Sequence, residues 1–244
     1  MTDLWLLVIL LGLAGLSVLS YALRALDLLG AVASFFLGLE VALLGGVRWL
    51  VLMTAFPVLG VLATRIGRRT KKERQVEEAQ EGERGVGNVL GNGLACALVA
   101  LALLLGPVPR LAAELAFATA VAAVTADTLA SEIGVLARRA RSVLPPFRVA
   151  ATGDNGAVSL LGQVAAAAGA TAIAAAAVPL LGLSWKAAWV PALLGFLGCQ
   201  LDSVLGATLE GDAKRKGPLS KQDVNFLAGA VPAFLVLVVG TVLL

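Results

Sequence analysis

Residues Leu111–Gly134, LAAELAFATAVAAVTADTLASEIG, decide what kind of protein this is. Between Glu114 and Asp127 the stretch carries no charge, and with its flanks it offers the ~20 apolar residues a helix needs to cross a hydrocarbon core of about 30 Å. It then ends on Asp127, Ser131 and Glu132. An acidic side chain near a bilayer centre costs on the order of 2.5–3.5 kcal/mol, so two of them call for a partner, a cavity or a bound cation.

The rest of the chain repeats the apolar pattern. Of 244 residues, 59% are hydrophobic and 14% charged, too little polar surface to coat a soluble globule. Apolar runs near 4–23, 26–45, 48–65, 88–105, 111–135, 157–181, 187–209 and 224–243 predict an all-α fold. It is a polytopic transmembrane helical bundle of about eight membrane helices, one domain over 1–244. Gly45 and Gly46 separate the second and third runs and predict a tight turn between antiparallel helices.

Charge sets the expected orientation. With the N-terminus outside, the loops 65–87, 138–156 and 210–223 fall on one side and, with Arg24, hold sixteen of the nineteen Lys and Arg. Only Arg48, Arg110 and Lys186 lie opposite. The basic side is expected to be the cytoplasm, with both termini outside. Trp5, Trp49, Trp185 and Trp189 all fall near the outer boundary, where indoles prefer to sit. The start of the chain carries Asp3 rather than a basic cluster, so it is not read as a cleaved signal peptide. The net charge of +3 then reports topology and not a nucleic-acid partner. Cys96 and Cys199 fall in predicted helices of a chain without histidine, and are read as packing residues rather than zinc ligands.

The basic loop 65–87 is the one large hydrophilic interruption. Its middle, Lys71 to Glu83, predicts a short helix, because Glu73 and Glu77, or Arg74 and Glu78, are four apart. It is read as a solvated cytoplasmic loop, with a lid touching an anionic ligand as the alternative.

Polar residues at membrane depth collect toward the cytoplasmic side. Asn88 and Asn92 share one helix face, Asp127, Ser131 and Glu132 end another helix, and Ser159 and Gln163 open the next after Asp154 and Asn155. Gly198, Asp202, Gly206 and Glu210 form a four-residue stripe of small and acidic side chains. The asparagines, Ser159 and Gln163 can be explained by interhelical hydrogen bonds alone. For Asp127 and Asp202 no basic residue is expected at that depth within the last five apolar runs, which leaves protonation, water or a metal; hard oxygen donors suit Mg²⁺. Glu114 is expected to pair with Arg110, and Glu40 with Arg48. The glycines of GVGNVLGNG (85–93) fit neither a dinucleotide fingerprint nor a P-loop, and close packing outweighs phosphate contact there. TGDNGAVS (152–159) lies at a helix start, which favours an anion. Acids for a divalent cation, helix starts for phosphate and lipid alongside suit phosphoryl transfer, where catalysis is mostly positioning and charge neutralisation.

Three motifs in order carry a family resemblance: TADTLASEIG at 125–134, TGDNGAVSLLG at 152–162, and GFLGCQLDSVLGATLE at 195–210 followed by VNFLAGA at 224–230. They resemble the integral membrane family that includes phytyl-phosphate kinase, from about Asn88 onward and more loosely before it. The pattern is also distantly similar to dolichol and phytol kinases and to membrane cytidylyltransferases, which implies CTP as the phosphate donor. The resemblance implies a kinase that converts an isoprenoid monophosphate, phytyl or geranylgeranyl in type, to its diphosphate. It places Asp127, Glu132 and Asp202 on Mg²⁺, with Asp127 and Asp202 catalytic, and Asn88, Asn92, Asn155, Ser159 and Ser203 in the polar motif positions that contact substrate and phosphate. Asp154 stands where a small or hydroxyl residue is expected, and Glu210 where Gln is usual. The implied partners are the isoprenoid phosphate, the nucleotide, bilayer lipids and, for a homo-oligomer, a second copy.

Two other activities share these features. A transporter would also place acids and glycine breaks in the membrane, although it needs polar residues at several depths. A lipid cytidylyltransferase would use the same metal and nucleotide and release pyrophosphate.

Overall fold

The computed structural model describes residues 3–74, 84–210 and 217–243. Helices dominate: α1 (Asp3–Ala22), α2 (Leu28–Leu44), α3 (Val47–Arg65), α4 (Arg68–Glu73), α5 (Val86–Leu105), α6 (Arg110–Gly134), α7 (Leu160–Leu181), α8 (Trp189–Thr208) and α9 (Lys221–Leu243). Among the described residues seven helices are long and apolar enough to cross a membrane, and α2, at 17 residues, is shorter. The eight apolar runs are therefore eight helices, and the all-α bundle is borne out.

Gly45 and Gly46 form the turn between α2 and α3 expected of them. Gly46 sits at φ +98°, a conformation that side chains disfavour. Gly45 lies against the Trp49 ring, where a Cβ would collide.

At the centre stands α6, packed against α3, α5, α7, α8 and α9. Its alanines make this possible, since lipid gives helices no hydrophobic reason to associate and small side chains let backbones approach. Opposite them, Gly195 and Gly198 of α8 fit against Ala122 and Ala123, and Gly240 of α9 fits against Ala112. Cys96 and Cys199 are both buried and unbridged, as expected of packing residues. By contrast α1 packs mainly on α2 and leaves most of its surface to lipid.

Between α6 and α7 the chain forms a small sheet that the helical reading did not anticipate. Strands β1 (Ala140–Ser142), β2 (Val149–Ala150) and β3 (Ala157–Val158) pair antiparallel in the order β2-β1-β3. At two or three residues each, the segments are too short to show a period.

The loop after α3 is not simply solvated. Its first part is α4, whose Lys71 is 1% exposed. The helix expected from Lys71 to Glu83 is seen only as α4; Glu77, Glu78 and everything at 75–83 lie outside the described residues. Trp49 also differs from expectation. It packs 4.3 Å from Phe117 with the Arg110 guanidinium over its ring and is 1% exposed, so it is a core residue and not an interfacial anchor. Trp5, Trp185 and Trp189 are exposed as anchors would be. Glu114 pairs with Arg110 at 2.8 Å, whereas Glu40 and Arg48 make no ion pair.

Candidate functional site

The last two turns of α6 carry Asp127, Ser131 and Glu132 toward the end of the bundle where the polar loops gather. There α6 crosses the start of α7 almost backbone to backbone. A Cβ on Gly162 would sit 3.0 Å from the Ala130 carbonyl oxygen and 3.2 Å from the Gly134 Cα. Ser159, the N-cap of α7, locks the crossing: its hydroxyl donates to the Gly134 carbonyl and accepts from the Gly162 N–H, both at 3.1 Å.

On the far side, α8 presents Asp202 and Gly206, and Glu210 follows two residues past the end of the helix. The loop 152–158 is held beside α8 by Gly156, at φ +71° and seated against Ala207 and the Ser203 carbonyl. A neck closes the α8–α9 connection, where Leu219 pairs with Glu210 and its N–H donates to the Leu209 carbonyl at 3.1 Å. Immediately after it, Ser220 and Asp223 form a reciprocal cap at the start of α9. The Ser220 N–H donates to the Asp223 carboxylate at 2.9 Å, and the Asp223 N–H returns to the Ser220 hydroxyl at 3.2 Å.

These pieces enclose a cavity of about 450 Å³. Its walls include Asp127, Glu132, Asn155, Ser159, Asp202 and Ser203, six of the eight motif residues. Residues 127–134, 152–159 and 202–210 are thus brought together from three separate stretches of chain. Asn88 and Asn92 are not in the lining. The Asn92 side chain, 3% exposed, donates to the Asn88 carbonyl at 2.8 Å, and the glycines beside it let α5 and α9 approach: a Cβ on Gly91 would sit 2.9 Å from the Gln222 carbonyl. The 85–93 glycines serve packing.

Glu132 departs most from expectation. Its carboxylate accepts from Lys71 Nζ at 2.7 Å, from the Thr64 hydroxyl at 2.6 Å and from Arg84 Nη2 at 3.4 Å, and is 3% exposed. Lys71 also donates to the Ala63 carbonyl at 2.9 Å, so one ammonium neutralises Glu132 and caps the end of α3. These groups already neutralise the charge that the sequence reading reserved for Mg²⁺. The cations escaped notice because Lys71 and Arg84 come from the polar loop, not from the apolar runs. Arg74 adds a second tie, donating to the Val135 and Ala137 carbonyls at 3.2 Å past the end of α6.

Ser159 is likewise occupied. Its proton goes to Gly134, so it shapes the cavity as a cap and does not present a free donor. Ser203 donates to the Cys199 carbonyl one turn back at 3.2 Å. Thr152 and Gly153 of the 152–159 motif also line the cavity, as does Lys221, which was not singled out beforehand. The reciprocal cap Ser220-x-x-Asp223 is a sequence signal that would have placed Lys221 at a helix start. Among the described residues no three His, Cys, Asp or Glu side chains gather as a metal cluster.

The profile of the integral membrane protein family DUF92 matches residues 11–233, nearly the whole described bundle. The chain belongs to the DUF92 family. This bears out the resemblance drawn from the three motifs. An uncharacterized membrane protein of Methanocaldococcus jannaschii is 32% identical over 208 residues, covering 85% of this DUF92 protein and 83% of the relative. Two Arabidopsis thaliana proteins are also similar. PGR is 28% identical over 214 residues, covering 78% of this chain and 74% of its own. The chloroplastic protein VTE6 is 29% identical over 139 residues, 56% of this chain and 42% of VTE6, so the match spans less than half of that relative. No solved structure matches the chain.

Proposed function

We propose that this DUF92 protein is a membrane prenyl-phosphate kinase, transferring the γ-phosphate of a nucleotide, CTP by preference, to an isoprenoid monophosphate. The observation that carries the reading is the convergence of Asp127, Asn155, Asp202 and Ser203 on one cavity at the end of a lipid-embedded bundle. The resemblance to the phytyl-phosphate kinase family and the similarity to VTE6 support the substrate class. The loop-rich end faces the cytoplasm in this reading, where the nucleotide is.

Mg²⁺ fits the residues present. It is usually held by one or two carboxylates together with substrate phosphates and water rather than by a full protein cage. Asp127 and Asp202 suit that role best, since Glu132 already meets Lys71 and Arg84. When bound, the ion would neutralise charge on the nucleotide phosphates. The chain's own contribution is placement. Asn155, in the loop that Gly156 pins against α8, is set to donate to phosphate oxygens. The close approach of Gly195 and Gly198 to Ala122 and Ala123 holds the Asp127 end of α6 beside α8. In the transfer a phosphate oxygen of the lipid bonds to the γ-phosphorus as the bond to the bridging β–γ oxygen breaks, and a nucleoside diphosphate leaves. No proton must be removed from the nucleophile, so a chain without histidine can serve.

Purified protein with Mg²⁺, CTP and phytyl monophosphate is expected to form phytyl diphosphate and CDP. Formation of a CDP-lipid with pyrophosphate would identify a cytidylyltransferase instead. No turnover over a panel of nucleotides and prenyl phosphates would favour transport.

A further inference from the structure

We propose that the bundle holds the phosphodiester of an anionic membrane lipid at the end opposite the candidate site, between Arg48 and Arg110. At ~1.5 Å per residue, the 25 residues of α6 run roughly 35 Å from Arg110 to Gly134. At the Arg110 end a second cavity, of about 360 Å³, opens where α3 and α6 start and α7 stops. Arg48, Trp49, Arg110, Glu114 and Leu181 are among its walls. The sequence leaves only Arg48, Arg110 and Lys186 for this end, and the fold brings two of the three into one cavity.

The two arginines are held differently. Arg110 is fixed: its Nε donates to Glu114 at 2.8 Å, its Nη2 donates to the Gly45 carbonyl, and its guanidinium lies 5.0 Å over the Trp49 ring. Arg48 is exposed and makes no ion pair among the described residues, so its charge is not offset. Two arginines and one glutamate leave one positive charge on the lining, the complement of the single negative charge of a phosphodiester. The backbone adds to it. Neither Gly46, before α3, nor Pro109, before α6, supplies a side-chain cap, so each start keeps free N–H groups and the positive end of its dipole. Trp49 is 1% exposed, and its indole N–H is buried without a hydrogen-bond partner among the described residues, a further unmet donor in a residue of the wall. The surroundings select a lipid over a soluble anion. Val47, on the lining, is an exposed apolar side chain, and Trp185 and Trp189, just past the end of α7, are exposed where a headgroup layer would meet them. The competing explanation is an interfacial arginine with no preference among lipids.

Cross-linking separates the two. Full-length protein in detergent micelles is exposed to phosphatidylglycerol bearing a diazirine near the top of one acyl chain, and labelled peptides are identified by mass spectrometry. Unlabelled phosphatidylglycerol, phosphatidylcholine or inorganic phosphate is added as competitor. We expect labelling at the starts of α3 and α6 that unlabelled phosphatidylglycerol competes away and the other two do not. R48M should lower the affinity drawn from that competition by roughly ten-fold, the scale of a lost charge-assisted hydrogen bond. R48K should recover part of it, K186M should leave it unchanged, and labelling at the loop-rich end should stay as in wild type. Because Arg48 is exposed, thermal midpoints should move little. Labelling at this end that is unchanged in R48M, or that phosphatidylcholine competes as well as phosphatidylglycerol does, overturns the proposal. Equal competition by inorganic phosphate would give the cavity to a soluble anion and overturn the lipid assignment. The kinase reading survives any of these results, since it rests on the opposite end of the bundle.

Discussion

The two ends of α6 each carry an ion pair, and they work differently. At the start, Arg110 and Glu114 lie one turn apart on the same helix, and Arg110 is 52% exposed. Such a pair is held by the helix itself and is worth little. At the other end Glu132 meets Lys71 and Arg84, 61 and 48 residues away in sequence, with Lys71 and Glu132 almost fully buried. Bringing those charges out of water is costly, and the cost is offset only because hydrogen bonds from Thr64, Lys71 and Arg84 satisfy the carboxylate. The difference teaches that the local pair decorates the helix, whereas the distant one ties the polar loop to the wall of the cavity.

Substitutions at each end sharpen that contrast. The largest effect should come from the cavity, where D127N or D202N lowers prenyl diphosphate formation by about a hundred-fold or more, the scale of a lost electrostatic contact in a transition state, without unfolding the protein. Product assays with folded, purified variants check this, and turnover like that of wild type in both would remove the two aspartates from the chemistry. Next comes K71M, which leaves Glu132 buried with one fewer cation. It should destabilise the fold by about 3–5 kcal/mol, with the double variant K71M/E132Q recovering a large part of the loss. Denaturant or thermal unfolding in detergent would show it, and a silent K71M would mean that the pair is not formed. G156A should cost about 1–3 kcal/mol, because the alanine meets Ala207 in a left-handed conformation. The smallest change is expected for E114Q, no more than about 1 kcal/mol in the same unfolding assay. A larger loss there would mean that the outer pair is as structural as the inner one.

Much of the architecture was legible because membrane insertion writes it into composition. Apolar length sets each helix, Gly45-Gly46 sets the turn, and the four-residue spacing of Asp202 and Gly206 sets a face; these are local rules, satisfied within one segment. Asp127, Asn155 and Asp202 could be assigned to one end because topology alone puts them at one depth. The pairings could not be read in the same way. The cap made by Ser159 was not visible, since only the crossing of α6 and α7 brings the Gly134 carbonyl to its hydroxyl. Asn88 and Asn92 share a face as expected, but neither lines the cavity.

From its order of residues alone, this chain determined that it is a bundle of membrane helices with acids gathered at one end, because hydrophobic length and helical period depend only on neighbours in sequence. Which acids line the cavity, and which of them meets the cations of the polar loop, was decided by the tertiary structure. Coulomb attraction acts through space, and it is the folding of a polar loop back under α6 that gives Glu132 its cations while leaving Asp127 and Asp202 on the cavity wall.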